Sequence, residues 1–234
     1  MTQTRLPFAC SLTLALSLLL SGCSKEEPQY EPKPAVSGLS ATLPPVPSVP
    51  EKPVKDGDAY TVWGASYYLR NRVHQKKVED QKITITGYIV KTNLGDAPEC
   101  AVHPAGKADP EGCRSAVPTF WIADSKDADL KDAMKVMGWA SNYAQIYDAI
   151  KEFDGAKEDA VYSDKTWGVE LPKPLPEKGA KVKVDGQYST NFTMASAGAE
   201  ADPIMGILTY GKITYLEESA ELATLPGVKR KPKK

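Results

Sequence analysis

With 234 residues, a formal net charge of −1 and 25% charged side chains, the chain has the length of one folded domain with appended segments. Over residues 58–228 it carries 19 Lys and Arg against 25 Asp and Glu. That acidic balance argues against the broad basic footprint that nucleic-acid binding demands, so no nucleic-acid partner is expected.

A single cation, Arg5, precedes an apolar run from Leu12 to Leu20, and Ser21, Gly22 and Cys23 follow. A basic start, a short apolar core and small residues before a cut are the layout of an export signal, here residues 1–22. The run is too short for a permanent span, which takes about 20 apolar residues.

Leu20-Ser21-Gly22-Cys23 resembles the lipobox of bacterial lipoproteins. The resemblance implies cleavage before Cys23, whose sulfur accepts the diacylglycerol and becomes the lipid attachment point. Ser24 and Lys25 follow in place of an Asp, which the same resemblance takes to imply the outer membrane, facing the periplasm. Two or three acyl chains, each buried CH₂ contributing about 0.8 kcal/mol, hold such a protein at the membrane.

Residues 23–57 follow as a tether. Eight prolines between Ser24 and Gly57 fix φ where few large apolar side chains are available, which favours extended conformers over a core. At about 3.1 Å per residue such a segment reaches up to about 100 Å.

A folded domain is expected over residues 58–228. Val62, Ala65, Leu69 and Val73 recur at helical spacing with Asp58 or Thr61 as cap, which predicts a short N-terminal helix. Alternation from Lys82 to Val90 predicts the clearest strand, with Gly87 marking a bulge or bend. A long polar loop over 92–117 leads to strands at Thr119 to Ala123 and Ala133 to Trp139. Ser141 then caps a helix whose apolar face is Tyr143, Ile146, Tyr147, Ile150 and Phe153, with Gly155 as its stop. Strands at Ala180 to Thr190 and Ile207 to Glu217 complete the domain, joined through a small-residue, mobile loop from Met194 to Pro203. Residues 229–234 form a basic tail, expected to be solvated.

Three strands, a helix and two strands is the order of the OB-fold, a mainly β, five-stranded Greek-key barrel with its helix between strands 3 and 4. The domain thus resembles the OB-fold lipoproteins of bacterial envelopes over roughly residues 78 to 218. A small α+β domain is the competing expectation.

Once the signal and the lipidated residue are set aside, Cys100 and Cys113 remain. In an exported chain their proximity predicts a disulfide. The competing expectation is a metal or catalytic loop using Cys100, His103 and Cys113, since zinc accepts thiolate and imidazole ligands.

In OB-folds the usual ligand surface is the face of strands 2 and 3 with the loops beside it. Here that places Trp121, Lys135 and Trp139 on the candidate face, with Phe120 and Ile122 pointing inward; the competing expectation is that the tryptophans are barrel core or lie under the loops. Asp124, Asp127, Asp129 and Asp132 lack the glycine and terminal Glu of a calcium loop, and read as a solvated turn with capping aspartates. His74 lies in a charged segment and is expected to be exposed. No nucleophile elbow or other catalytic motif accompanies the two histidines. No cofactor or enzyme activity is expected. The resulting expectation is a lipid-anchored envelope module that binds or scaffolds protein or carbohydrate, with an enzyme or metal-dependent factor as the alternative.

Overall fold

A computed structural model describes residues 52–155, 160–194 and 199–230. The fold includes residues ahead of Asp58. Strand β1 (Lys55–Asp56) pairs antiparallel with β2 (Ala59–Thr61), and the turn between them holds Gly57 at φ +64°. The last residues expected to belong to the tether are therefore part of the fold.

Thr61 then starts helix α1 (Val62–Arg70), its side chain accepting from the Gly64 N–H. The same hydroxyl donates to the Pro53 carbonyl at 2.7 Å. A second cap arrives from far along the chain. The Asp124 carboxylate accepts from the Val62 and Trp63 N–H groups at 2.7 and 2.9 Å, meeting the positive end of the helix dipole. Gly64 must be glycine, because a Cβ there would run into the Val54 backbone.

Strand β3 (Gln81–Thr92) spans the barrel and turns Ile85 and Ile89 into the core. Its register irregularity falls between Ile89 and Lys91, not at Gly87. Gly87 instead allows close approach, since a Cβ would lie 2.8 Å from the Ala123 carbonyl oxygen.

Strands β4 (Phe120–Ala123) and β5 (Met134–Met137) follow, then helix α2 (Tyr143–Gly155). Asn142, not Ser141, caps α2, its side-chain oxygen accepting from the Gln145 N–H at 3.0 Å. The Ser141 N–H goes to Asp164. Tyr143, Ile146 and Ile150 are buried as the helical spacing predicts, with Tyr147 and Phe153 half-buried against the core.

Strands β6 (Lys181–Ser189), β7 (Asn191–Phe192), β8 (Glu200–Ala201) and β9 (Ile207–Glu217) complete the chain. β3, β4, β5, β9 and β6 pair in that order, and β6 returns to β3 to close the sheet. The β5–β9 pair is parallel and the other barrel pairs antiparallel. This is a closed, mixed five-stranded barrel with two short helices, OB-fold-like in its order and in the position of α2. Part of the expected Met194 to Pro203 loop is regular, because β8 pairs with β7 in a hairpin.

Phe120, Ile122, Val136, Trp139, Val182, Val184 and Leu208 are fully buried in the barrel. Burying an apolar side chain of this size contributes about 1.5–3 kcal/mol. The described chain closes on Arg230. Its guanidinium lies 3.3 Å from Asp154 at the end of α2 and 3.9 Å from Glu177, donates to the Ala223 carbonyl and is only 8% exposed. Arg230 was expected in a solvated tail and is instead a buried tie, while residues 231–234 lie outside the described residues.

Candidate binding groove

Alternation on β4 places Phe120 and Ile122 inside, fully buried, and leaves Trp121 half-buried on the outer face. Lys135 lies directly across from Trp121 on β5, and the Lys91 ammonium sits 5.4 Å from the Trp121 ring centroid. Two ion pairs border the ring. Lys135 reaches Glu200 at 3.0 Å and Lys91 reaches Asp96 at 3.8 Å. Pairs this exposed contribute little to stability, about 1 kcal/mol or less, so they remain open to exchange for a ligand's polar groups. The groove has a volume of 430 Å³, and its lining includes Asn93, Val117, Ala199 and Glu200.

Trp139 does not belong to this face. It is fully buried and packs 6.2 Å from Phe120, centroid to centroid. Regular alternation would have kept it beside Lys135. Gly138, with φ +85°, ends β5 and breaks the alternation, so the indole turns inward. The face therefore consists of Trp121 and Lys135, together with Lys91, Asp96 and Glu200. Sequence reading missed those three, although Lys91 ends an alternating strand and was within reach of the same argument.

The wall before β4 is built to hold its shape. Asn93 clamps its base, donating from its side chain to the Val117 carbonyl and accepting from the Thr119 N–H, both at 2.8 Å. The Tyr143 hydroxyl donates to the Asn93 carbonyl. Burial, with Asp96 nearby, pushes that phenol up to about 12, so it remains a neutral donor. Cys100 and Cys113 are joined in a disulfide, and a loop of this size restricts the unfolded chain by about 3 kcal/mol in the chain-entropy model. Bonded to each other, the two sulfurs cannot both serve as thiolate ligands, which overturns the Cys100, His103, Cys113 zinc arrangement. Among the described residues no group of three or more His, Cys, Asp or Glu could hold a metal ion.

His103 closes the same loop. Its Nδ1 lies 2.9 Å from the Pro104 carbonyl oxygen and its Nε2 lies 2.6 Å from Asp109. The Pro104 carbonyl first, then the Asp109 carboxylate, raise the imidazole above the ordinary histidine value. A raised folded value means that this contribution is fully present below the unfolded value of about 6.5. It is lost as pH rises through the folded value. We expect proton NMR to find His103 titrating above that value and Asp109→Asn to lower it. An unchanged titration would show that Asp109 does not hold the ring.

The remaining candidates have structural roles. Asp124 caps α1, and Asp129 pairs with Lys131 at the surface. His74 is half-buried and stacks on Tyr68 with centroids 4.6 Å apart, so it is not the exposed residue expected. Cys23 lies outside the described residues. Among the described residues no helix is long and apolar enough to cross a membrane.

No family model and no curated protein matches the sequence. A solved structure assigned as an aspartyl-tRNA synthetase from Leishmania major Friedlin aligns at 15% identity with a TM-score of 0.32. The alignment covers 79% of this chain and 24% of that one. So distant a likeness carries no argument about function.

Proposed function

We propose that this chain is a non-enzymatic binding module of the bacterial cell envelope. It is held at a membrane, the outer membrane on its periplasmic side, by lipid on Cys23, and it contacts an envelope protein or glycan through the Trp121 groove. The observation that carries the reading is a half-buried indole flanked by two Lys–carboxylate pairs, in a groove lined by the segment leading into β4 and by Ala199 and Glu200.

The chemistry suits either ligand class. An indole face accepts the C–H face of a sugar ring or the flat side of a peptide side chain. Lys91, Asp96, Lys135 and Glu200 offer donors and acceptors to hydroxyls or amides at its edge. The apolar run and Leu20-Ser21-Gly22-Cys23 support the anchor, and an oxidising compartment suits the disulfide.

Affinity for a partner found on a glycan array or by envelope pull-down is expected to fall about tenfold or more in Trp121→Ala, since one aromatic stacking contact contributes about 1–3 kcal/mol. Lys135→Ala should weaken it less. If both variants bind every partner as well as the parent does, this face is not the site. Cys23→Ala is separately expected to leave the membrane fraction and lose acyl label.

A further inference from the structure

Five aromatic rings form a continuous array on and beside α1, away from the groove residues. Trp63 and Tyr67, one helical turn apart, stack with centroids 4.9 Å apart and planes 9° apart. Tyr67 touches Tyr68 at 6.1 Å, and Tyr68 in turn meets Tyr60 at 5.9 Å and His74 at 4.6 Å. None of these rings is buried, and Tyr67 is 41% exposed. Below the helix end, Val73 stands 80% exposed.

Cations surround the array. Lys55 lies over Tyr60 at 4.5 Å and Lys77 over Tyr68 at 5.7 Å, and Arg70, Arg72 and Lys76, in the same stretch of sequence, are exposed. Between Ala59 and Val78 the sequence has no Asp or Glu, in a domain that is otherwise acidic. Glu79 and Asp80 follow directly after this stretch, while two other carboxylates near α1 are engaged. Asp124 accepts from the two N–H groups at the start of α1, and Asp58 pairs with Lys183 at 2.6 Å.

We infer that this aromatic and cationic face rests on an anionic lipid surface. Trp and Tyr concentrate at the headgroup level, where one edge of the ring is wet and the other apolar. Lys and Arg near an anionic surface contribute about 1 kcal/mol each. The exposed aliphatic Val73 selects lipid over a soluble polyanion, because an isopropyl group gains nothing from a phosphate or a sugar but gains from the acyl boundary. The chain itself points the same way. Pro53 and Val54, the residues that lead in from the tether, are hydrogen-bonded to Thr61 at the start of α1. The inference extends the anchored reading, since Cys23 would supply the membrane that this face then meets.

The test uses the mature chain from Ser24 to Lys234 made without acyl groups, so that only the protein surface can bind. It is expected to sediment with vesicles of equimolar phosphatidylcholine and phosphatidylglycerol, but not with phosphatidylcholine alone. Arg72→Gln, Lys76→Gln and Lys77→Gln together should weaken partitioning about a hundredfold at low salt. Brominated lipid should quench the parent's tryptophan emission and quench Trp63→Phe less.

The proposal is overturned if the chain does not sediment with the mixed vesicles, or if the triple variant binds them as the parent does. It is equally overturned if neutralising Lys229, Lys231, Lys233 and Lys234 abolishes binding while the triple variant retains it. Displacement by stoichiometric heparin at constant ionic strength would reassign the face to a soluble polyanion. Because no acyl chain is present, failure here leaves the Cys23 anchor standing, and release of Cys23→Ala from membranes would leave the vesicle result standing.

Discussion

Arg230→Ala is expected to lower the unfolding free energy by about 3–5 kcal/mol, the usual cost of removing one partner from a buried ion pair. The guanidinium and the Glu177 side chain are 8% and 1% exposed, and Asp154 is 17% exposed. Removing the cation takes a charged partner from two shielded carboxylates, of which Glu177 also accepts from the Ala223 N–H, and removes the Arg230 donor from the Ala223 carbonyl. Lys229→Ala, one residue earlier, should change stability by no more than about 0.5 kcal/mol, as exposed substitutions do. Urea denaturation of the two variants separates the cases. Equal midpoints would mean that the Arg230 contacts do not stabilise the fold. Chain shortened before Arg230 should lose at least as much stability as Arg230→Ala, because it loses the same contacts to Asp154, Glu177 and Ala223.

The second large effect belongs to Trp139. Trp139→Ala should cost about 3–5 kcal/mol, the range for emptying a buried indole site, and should leave the Trp121 groove chemistry intact in whatever fraction stays folded. Trp121→Ala should do the reverse, costing about 1 kcal/mol or less in stability while removing the stacking surface. Thermal unfolding together with ligand binding tests both substitutions. If Trp139→Ala were tolerated and abolished binding, the indole would be acting as part of the face, contrary to its burial.

The contrast between these two tryptophans marks where sequence reading succeeded and where it stopped. Strand alternation carried Phe120, Trp121 and Ile122 to their correct sides because β4 keeps an unbroken pleat. It failed at Trp139 because one glycine in the left-handed region resets the direction of the next side chain, and alternation cannot anticipate that reset. The five barrel strands, α2 and its apolar face were legible because period 2 and period 3.6 are local signals. The Asp124 cap on α1 was not, since its partners are about 60 residues away in sequence. Nor was the burial of Arg230, which depends on where Asp154 and Glu177 meet. In the groove, Lys135 and Trp121 were found by register, whereas Glu200 required knowing that the segment before β9 folds back as a hairpin.

The β1–β2 hairpin has a mechanical consequence for a protein pulled from its N-terminal side. β1 pairs antiparallel with β2 beyond a tight turn, so tension applied upstream of Val54 opens its hydrogen bonds one after another instead of shearing them together. Unzipping is the low-force mode. The few residues from Val54 to Ala59 would peel away first, adding about 3.3 Å of slack each, before the barrel strands bear any load. The segment would thus act as a fuse, yielding before the barrel does.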